Sequence, residues 1–132
     1  MLWNLIGLSF ANQIINGELE TDFPATVALG AQLGESGFSA CTGTLITPRI
    51  VLSAAHCGGD LPPDLILQVG KAFFGTSVQD TEAVIGFEDF VIHPDYVELD
   101  SSVGGTRGSN DFGLLVLSES APVQPIFLIQ KR

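Results

Sequence analysis

The sequence predicts an all-β domain, an antiparallel sandwich or barrel, on three observations. Six short apolar or alternating runs recur between residues 26 and 118. Clusters of Gly, Pro, Ser and Asp separate them. No stretch carries the long 3.6-residue periodicity of an amphipathic helix. Several short strands at such spacing are the pattern of a sandwich or barrel.

The runs follow in order. Thr26 to Gln32 and Phe38 to Thr47 flank the turn material Gly34-Glu-Ser-Gly37. Thr47-Pro-Arg49 then leads into Ile50 to Ala54, and at most one helical turn fits around Ala54-Ala-His-Cys57. Beyond Gly58-Gly-Asp60 and Leu61-Pro-Pro63, the apolar run Leu65 to Gly70 reads as a fourth strand. Glu82 to His93 is the fifth, closed by His93-Pro-Asp95. The longest loop, Asp95 to Asn110, is rich in Ser, Gly and Asp, and precedes the last run, Phe112 to Ser118. There is no internal repeat and no low-complexity tract.

Composition bounds the class. The 132 residues suit one compact domain with its own core. A 45% hydrophobic and 15% charged composition opposes disorder, and 15 glycines with 7 prolines suit short strands joined by turns. A formal net charge of −10 argues against nucleic acid as a partner, because phosphate binding needs clustered Lys and Arg. It equally opposes docking on an anionic membrane. Acidity alone names no substrate and reads first as a solvated surface.

The two cysteines, Cys41 and Cys57, are one disulfide if the protein is exported and two buried thiols if it is cytosolic. Zinc is a poor third reading, since Cys41, His56, Cys57 and His93 lack the close-paired ligand spacings. The first eleven residues, Met1 to Ala11, are apolar, uncharged and too short to span a bilayer. Ser9-Phe10-Ala11 has the small-x-small form of a signal-peptidase site. Residues 1–13 therefore read as a short or incomplete signal peptide or propeptide, the other reading being an ordinary N-terminal extension.

Chemistry enters with Cys41-Thr-Gly-Thr-Leu-Ile-Thr-Pro-Arg-Ile-Val-Leu-Ser-Ala-Ala-His-Cys57. It reads as a strand, a Pro-containing turn, a second strand, and small residues that let the chain turn so that His56 projects from the strand end. A Cys41–Cys57 bond would close a short loop and pin that turn, an effect of about 3 kcal/mol on the chain-entropy model. A catalytic imidazole needs such fixing, because a misplacement of about 1 Å can cost ~100-fold in rate. A second segment, Asn110-Asp-Phe-Gly-Leu-Leu-Val-Leu117, sets an aspartate against an apolar run, where a buried carboxylate would need partners.

These segments resemble the trypsin/chymotrypsin-like serine protease family. Cys41-Thr-Gly-Thr-Leu-Ile46 and Val51-Leu-Ser-Ala-Ala-His-Cys57 match its Cys-Gly-Gly-Ser-Leu-Ile strand and its Thr-Ala-Ala-His-Cys signature. Asn110-Asp-Phe-Gly-Leu-Leu115 matches its Asn-Asp-Ile-Ala-Leu-Leu motif. The resemblance implies that His56 is the general base and that Asp111 holds its tautomer and stabilises the imidazolium. Ile14-Ile-Asn-Gly17 is similar to the start of mature family members, so Ile14 and Ile15 would form the N-terminus released by activation. Gln13 departs from the usual Arg or Lys at that cleavage position. Phe23-Pro-Ala-Thr-Val-Ala-Leu29 matches the family's Tyr-Pro-Tyr-Gln-Val-Ser-Leu strand, Phe90-Val-Ile-His-Pro-Asp-Tyr96 its His-Pro-x-Tyr strand, and Ala121 to Leu128 its inter-barrel linker. His93 is read there as a turn residue. Asp80, Glu82, Glu88 and Asp89 lie where some relatives bind calcium, but without a ligand spacing, and no metal site is expected.

The fold implied is a six-stranded antiparallel Greek-key barrel over residues 14–120, the first of two barrels, with the linker beginning at 121–132. The function implied is serine-type endopeptidase action on a polypeptide substrate by a secreted protein, with no cofactor, nucleic acid or membrane. No Gly-Asp-Ser-Gly-Gly occurs in the sequence, so nucleophile, oxyanion hole and specificity pocket are absent from these residues. The expectation is a truncated peptidase domain, inactive alone; the alternative is a non-enzymatic homologue acting as a binding or decoy protein.

Overall fold

The computed structural model describes residues 22–58, 61–98 and 108–127. Six strands, β1 (Thr26–Leu33), β2 (Ser36–Thr47), β3 (Ile50–Ser53), β4 (Gly70–Ser77), β5 (Asp80–Ile92) and β6 (Gly113–Leu117), form a closed antiparallel barrel. Their order around it is β1-β2-β3-β6-β5-β4, with β4 pairing back onto β1. Strand β4 thus returns beside β1 after the β1-β2-β3 meander, which is the Greek-key connection. Closure leaves no free sheet edge.

Alternation along each strand decides what fills the barrel. Val27 and Leu29 of β1, Leu45 of β2, Val51 of β3, Ala72 and Phe74 of β4, Ile85 and Phe87 of β5, and Leu115 and Leu117 of β6 form one buried cluster. Phe74, Leu45, Leu117, Val27 and Val51 are its fully enclosed side chains. At roughly 1.5–3 kcal/mol for each large apolar side chain buried, this cluster is the main source of stability. Register shifts at Leu29/Gly30, Leu45/Thr47, Phe74/Gly75 and Phe87/Asp89 bend the strands around it. One of these needs glycine: a Cβ on Gly30 would stand 1.8 Å from the Phe38 carbonyl oxygen.

The run Leu65 to Gly70 is not a strand. Pro63–Val69 is a helix, α1, and the fourth strand begins where it ends, at Gly70. Proline at its first position fixes φ for a helical start and gives up an N–H that would have no partner there. Ile66 and Leu67 then turn onto the core while Asp64, Leu65 and Gln68 stay exposed. A short apolar run fits a buried strand and one face of a two-turn helix equally well. The helical turn expected near residues 54–57 is present as a 3₁₀ turn, Ala55–Gly58.

Candidate active site

Two strand ends meet at one rim of the barrel. β3 and β6 pair antiparallel, with Ser53 opposite Gly113, so the residues just after β3 and just before β6 lie side by side. His56 sits in the 3₁₀ turn that leaves β3, and Asp111 lies two residues ahead of β6. Both carboxylate oxygens of Asp111 face His56: Oδ1 accepts from the His56 backbone N–H at 2.9 Å, and Oδ2 lies 2.6 Å from Nδ1. An ionised carboxylate only accepts, so Nδ1 carries a proton, and in the neutral ring Nε2 is then the atom with the free lone pair. The imidazole side chain is 39% exposed and the carboxylate 20%.

Burial works to raise the pKa of Asp111. The His56 backbone amide, the hydrogen bond and charge of the His56 ring, and the Ala55 amide outweigh it and hold the carboxyl below its ordinary 3.8. Asp111 therefore remains an anion through neutral pH, facing the ring whose positive charge it would stabilise.

The histidine arm is fastened covalently. Cys41 on β2 and Cys57 beside His56 are joined as a disulfide, with Cα atoms 6.0 Å apart. Ser53, buried at the end of β3, donates its hydroxyl to the Thr42 carbonyl at 2.9 Å and lies 3.5 Å from Cys57 Sγ. Cys41, His56 and Cys57 fall within 4.8 Å of one another, but the disulfide leaves no thiolate to bind a metal.

The aspartate arm is fastened by polar contacts. Asn110 has φ +54°, its amide donates to the Asp95 carbonyl at 3.0 Å, and its carbonyl accepts from Phe112 N–H at 2.9 Å. Val97 and Ser109 exchange backbone hydrogen bonds at the neck of the same loop. His93 packs on Phe112, ring centroids 4.5 Å apart, and its Nδ1 accepts from Asp95 N–H at 3.1 Å. His93 thus belongs to the loop's scaffold. Sequence reasoning missed Asn110 as a structural element; the available signal was its residue type, since Asn is among the few that enter the left-handed region readily.

The acidic residues Asp80, Glu88 and Asp89 have separate partners. Asp80 and Glu82 lie at the start of β5, where Asp80 accepts from Thr76, while Glu88 pairs with Arg49 and Asp89 accepts from the Phe90 N–H farther along the strand. Glu82 and Glu88, the nearest members of the two pairs, are about 20 Å apart along an extended strand at ~3.4 Å per residue. Gln13, Ile14 and Ile15 lie outside the described residues. No helix among the described residues is long and apolar enough to cross a membrane.

The family model for trypsin matches residues 15–131. Serine protease 57 of Rattus norvegicus is 35% identical over 95 residues, 72% of this chain and 32% of that protein. Phenoloxidase-activating factor 1 of Holotrichia diomphalia is 29% identical across 91% of this chain and 38% of its own length. The chain thus spans about a third of the length of these relatives. Among solved structures, a kallikrein-related peptidase 10 complex with Zn2+ superposes with a TM-score of 0.57 at 25% identity, covering 83% of this chain and 44% of that one.

Proposed function

The chain belongs to the trypsin family, and from that premise we propose that it supplies the general-base half of a secreted serine endopeptidase acting on polypeptides. The observation that carries this reading is the 2.6 Å contact between Asp111 Oδ2 and His56 Nδ1. A neutral imidazole protonated at Nδ1 has Nε2 as its basic atom. In the complete enzyme, Nε2 takes the proton of a serine hydroxyl as the oxygen attacks the scissile carbonyl, then returns it to the leaving amine. Asp111 holds the tautomer and faces the imidazolium formed between those steps. The serine and the amides that hold the oxyanion come from residues outside this sequence.

Residues 14–120 are the first barrel in this proposal, 121–132 the start of the linker to a second, and Ile14 the N-terminus after activation. The disulfide supports an oxidising, extracellular location. A row of outward apolar side chains, Leu52, Leu114 and Val91, crosses β3, β6 and β5, with Phe112 beside it. Phe112 is 46% exposed and Val91 50%, the surface expected of a barrel that packs on a second unit. A free-standing decoy would carry polar groups there.

The test is peptide or ester hydrolysis by the protein with its second barrel, alongside residues 1–132 alone. The longer protein should turn over substrate and the 132-residue chain should not. Turnover by residues 1–132 that His56→Ala abolishes would overturn the division of labour.

A further inference from the structure

Among the described non-glycine residues, Asn110 alone has a positive φ, +54°, and it directly precedes the carboxylate that meets His56. A left-handed backbone is unfavourable for residues with a Cβ, and Asn tolerates it better than most. The conformation has a local use. It sets the direction in which the chain enters Asp111, and the next turn is closed by the Asn110 carbonyl accepting from Phe112 N–H, a hydrogen bond that spans Asp111 and is formed by the φ and ψ of Asp111 itself. Asp111 is thereby held at the apex of a three-residue turn, with Oδ1 on the His56 amide and Oδ2 on its ring. The Asn110 side chain adds a second tie, donating to the carbonyl of Asp95 at the far end of the loop. No covalent link reaches Asp111 from this side.

The geometry points to Asn110 as a positioning residue for the proposed base: its left-handed backbone and its amide-to-Asp95 bond together set the Asp111 carboxylate against His56. This rests on the reading of His56 and Asp111 as a catalytic pair. Asn110 touches neither substrate nor the imidazole and acts through Asp111.

Two variants separate its two contributions. Asn110→Gly keeps the left-handed backbone and loses the amide; Asn110→Ala loses both. The experiment uses the full-length protein, labelled with 15N-histidine, with His56→Ala to assign the signal. It reads the His56 Nδ1 proton resonance, then kcat and KM.

In Asn110→Ala, the Nδ1 proton resonance should broaden or move upfield, because the carboxylate that accepts from it has shifted. The loss should be about 10-fold or more in kcat with KM within about twofold, since ~1 Å of misplacement is worth up to ~100-fold. Asn110→Gly should fall between Asn110→Ala and the unaltered protein on every readout. If Asn110→Ala lowers only the melting temperature, leaving the Nδ1 resonance and kcat unchanged, the residue is structural and the inference is wrong. Full activity in His56→Ala would instead sink the catalytic pair itself, and the spectroscopic arm distinguishes the two failures.

Discussion

The two arms of the site are built by opposite means. His56 leaves β3 through a 3₁₀ turn whose next residue is bonded to Cys41 of the neighbouring strand, and Ser53 beneath it is buried and hydrogen-bonded. Asp111 arrives from the opposite direction, on a segment that the described residues Asn110, Asp95, Val97 and Ser109 tie with neutral hydrogen bonds, and its only charged contacts among the described residues are those to His56 itself. A covalent tie constrains the unfolded chain as well as the folded one. Each neutral hydrogen bond adds only about 0.5–1.5 kcal/mol net. The histidine is therefore anchored by the fold as a whole, and the aspartate by local geometry that single substitutions reach.

The largest effect should come from the weaker arm. In the full-length protein, Asp111→Asn keeps the shape but lets the amide donate to Nδ1, forcing the proton onto Nε2. The loss in kcat should be about 10⁴-fold, the penalty of the wrong tautomer in a Ser-His-Asp site. Rates measured across the pH range check this, and a loss of less than about 10-fold would contradict the assigned role.

Next is the covalent arm. Replacing both Cys41 and Cys57 with Ser should destabilise the barrel by about 3 kcal/mol, read from urea unfolding. The His56–Asp111 contact should persist in the molecules that remain folded. If the unfolding midpoint does not move, the disulfide is not the anchor of the histidine arm.

A smaller signal lies in acid. Asp111 has its pKa lowered on folding, so its contribution to stability is complete above the unfolded value near 3.8 and disappears as pH falls through the lower folded value. Asp111→Asn should flatten the acid limb below about pH 4 in a plot of unfolding free energy against pH. An unaltered limb would mean that the carboxylate gains nothing from His56 on folding. Smallest of all is Glu88→Gln, which removes an exposed pairing with Arg49 far from the rim. Its effect on stability should be below about 1 kcal/mol, and activity should not change.

How far the sequence discloses these features follows from their physics. Strands such as Ile50 to Ser53 and Gly113 to Leu117 announce themselves because one face is buried, and alternation survives in the residue types. Helix α1 and strand β4 do not: Leu65-Ile-Leu-Gln-Val69 is too short for helical periodicity to outweigh its β-forming residues, and glycines at 70 and 75 break the pattern of Lys71 to Ser77. The approach of His56 to Asp111, 55 residues apart, depends on the pairing of β3 with β6, which no local spacing encodes. Family resemblance gave that pair an expected place, and the structure brings the two side chains into contact. The left-handed turn at Asn110 depends on a single residue's φ, legible only as the Asn-Asp dipeptide before the last strand.

The most direct test of His56 as the base is proteolysis by the full-length protein with and without His56→Ala. Loss of turnover by at least ~10³-fold, with the His56→Ala protein still folded and its disulfide intact, is the predicted result. Turnover undiminished by that substitution would mean that His56 is not the base, and that the 2.6 Å contact with Asp111 serves the fold alone.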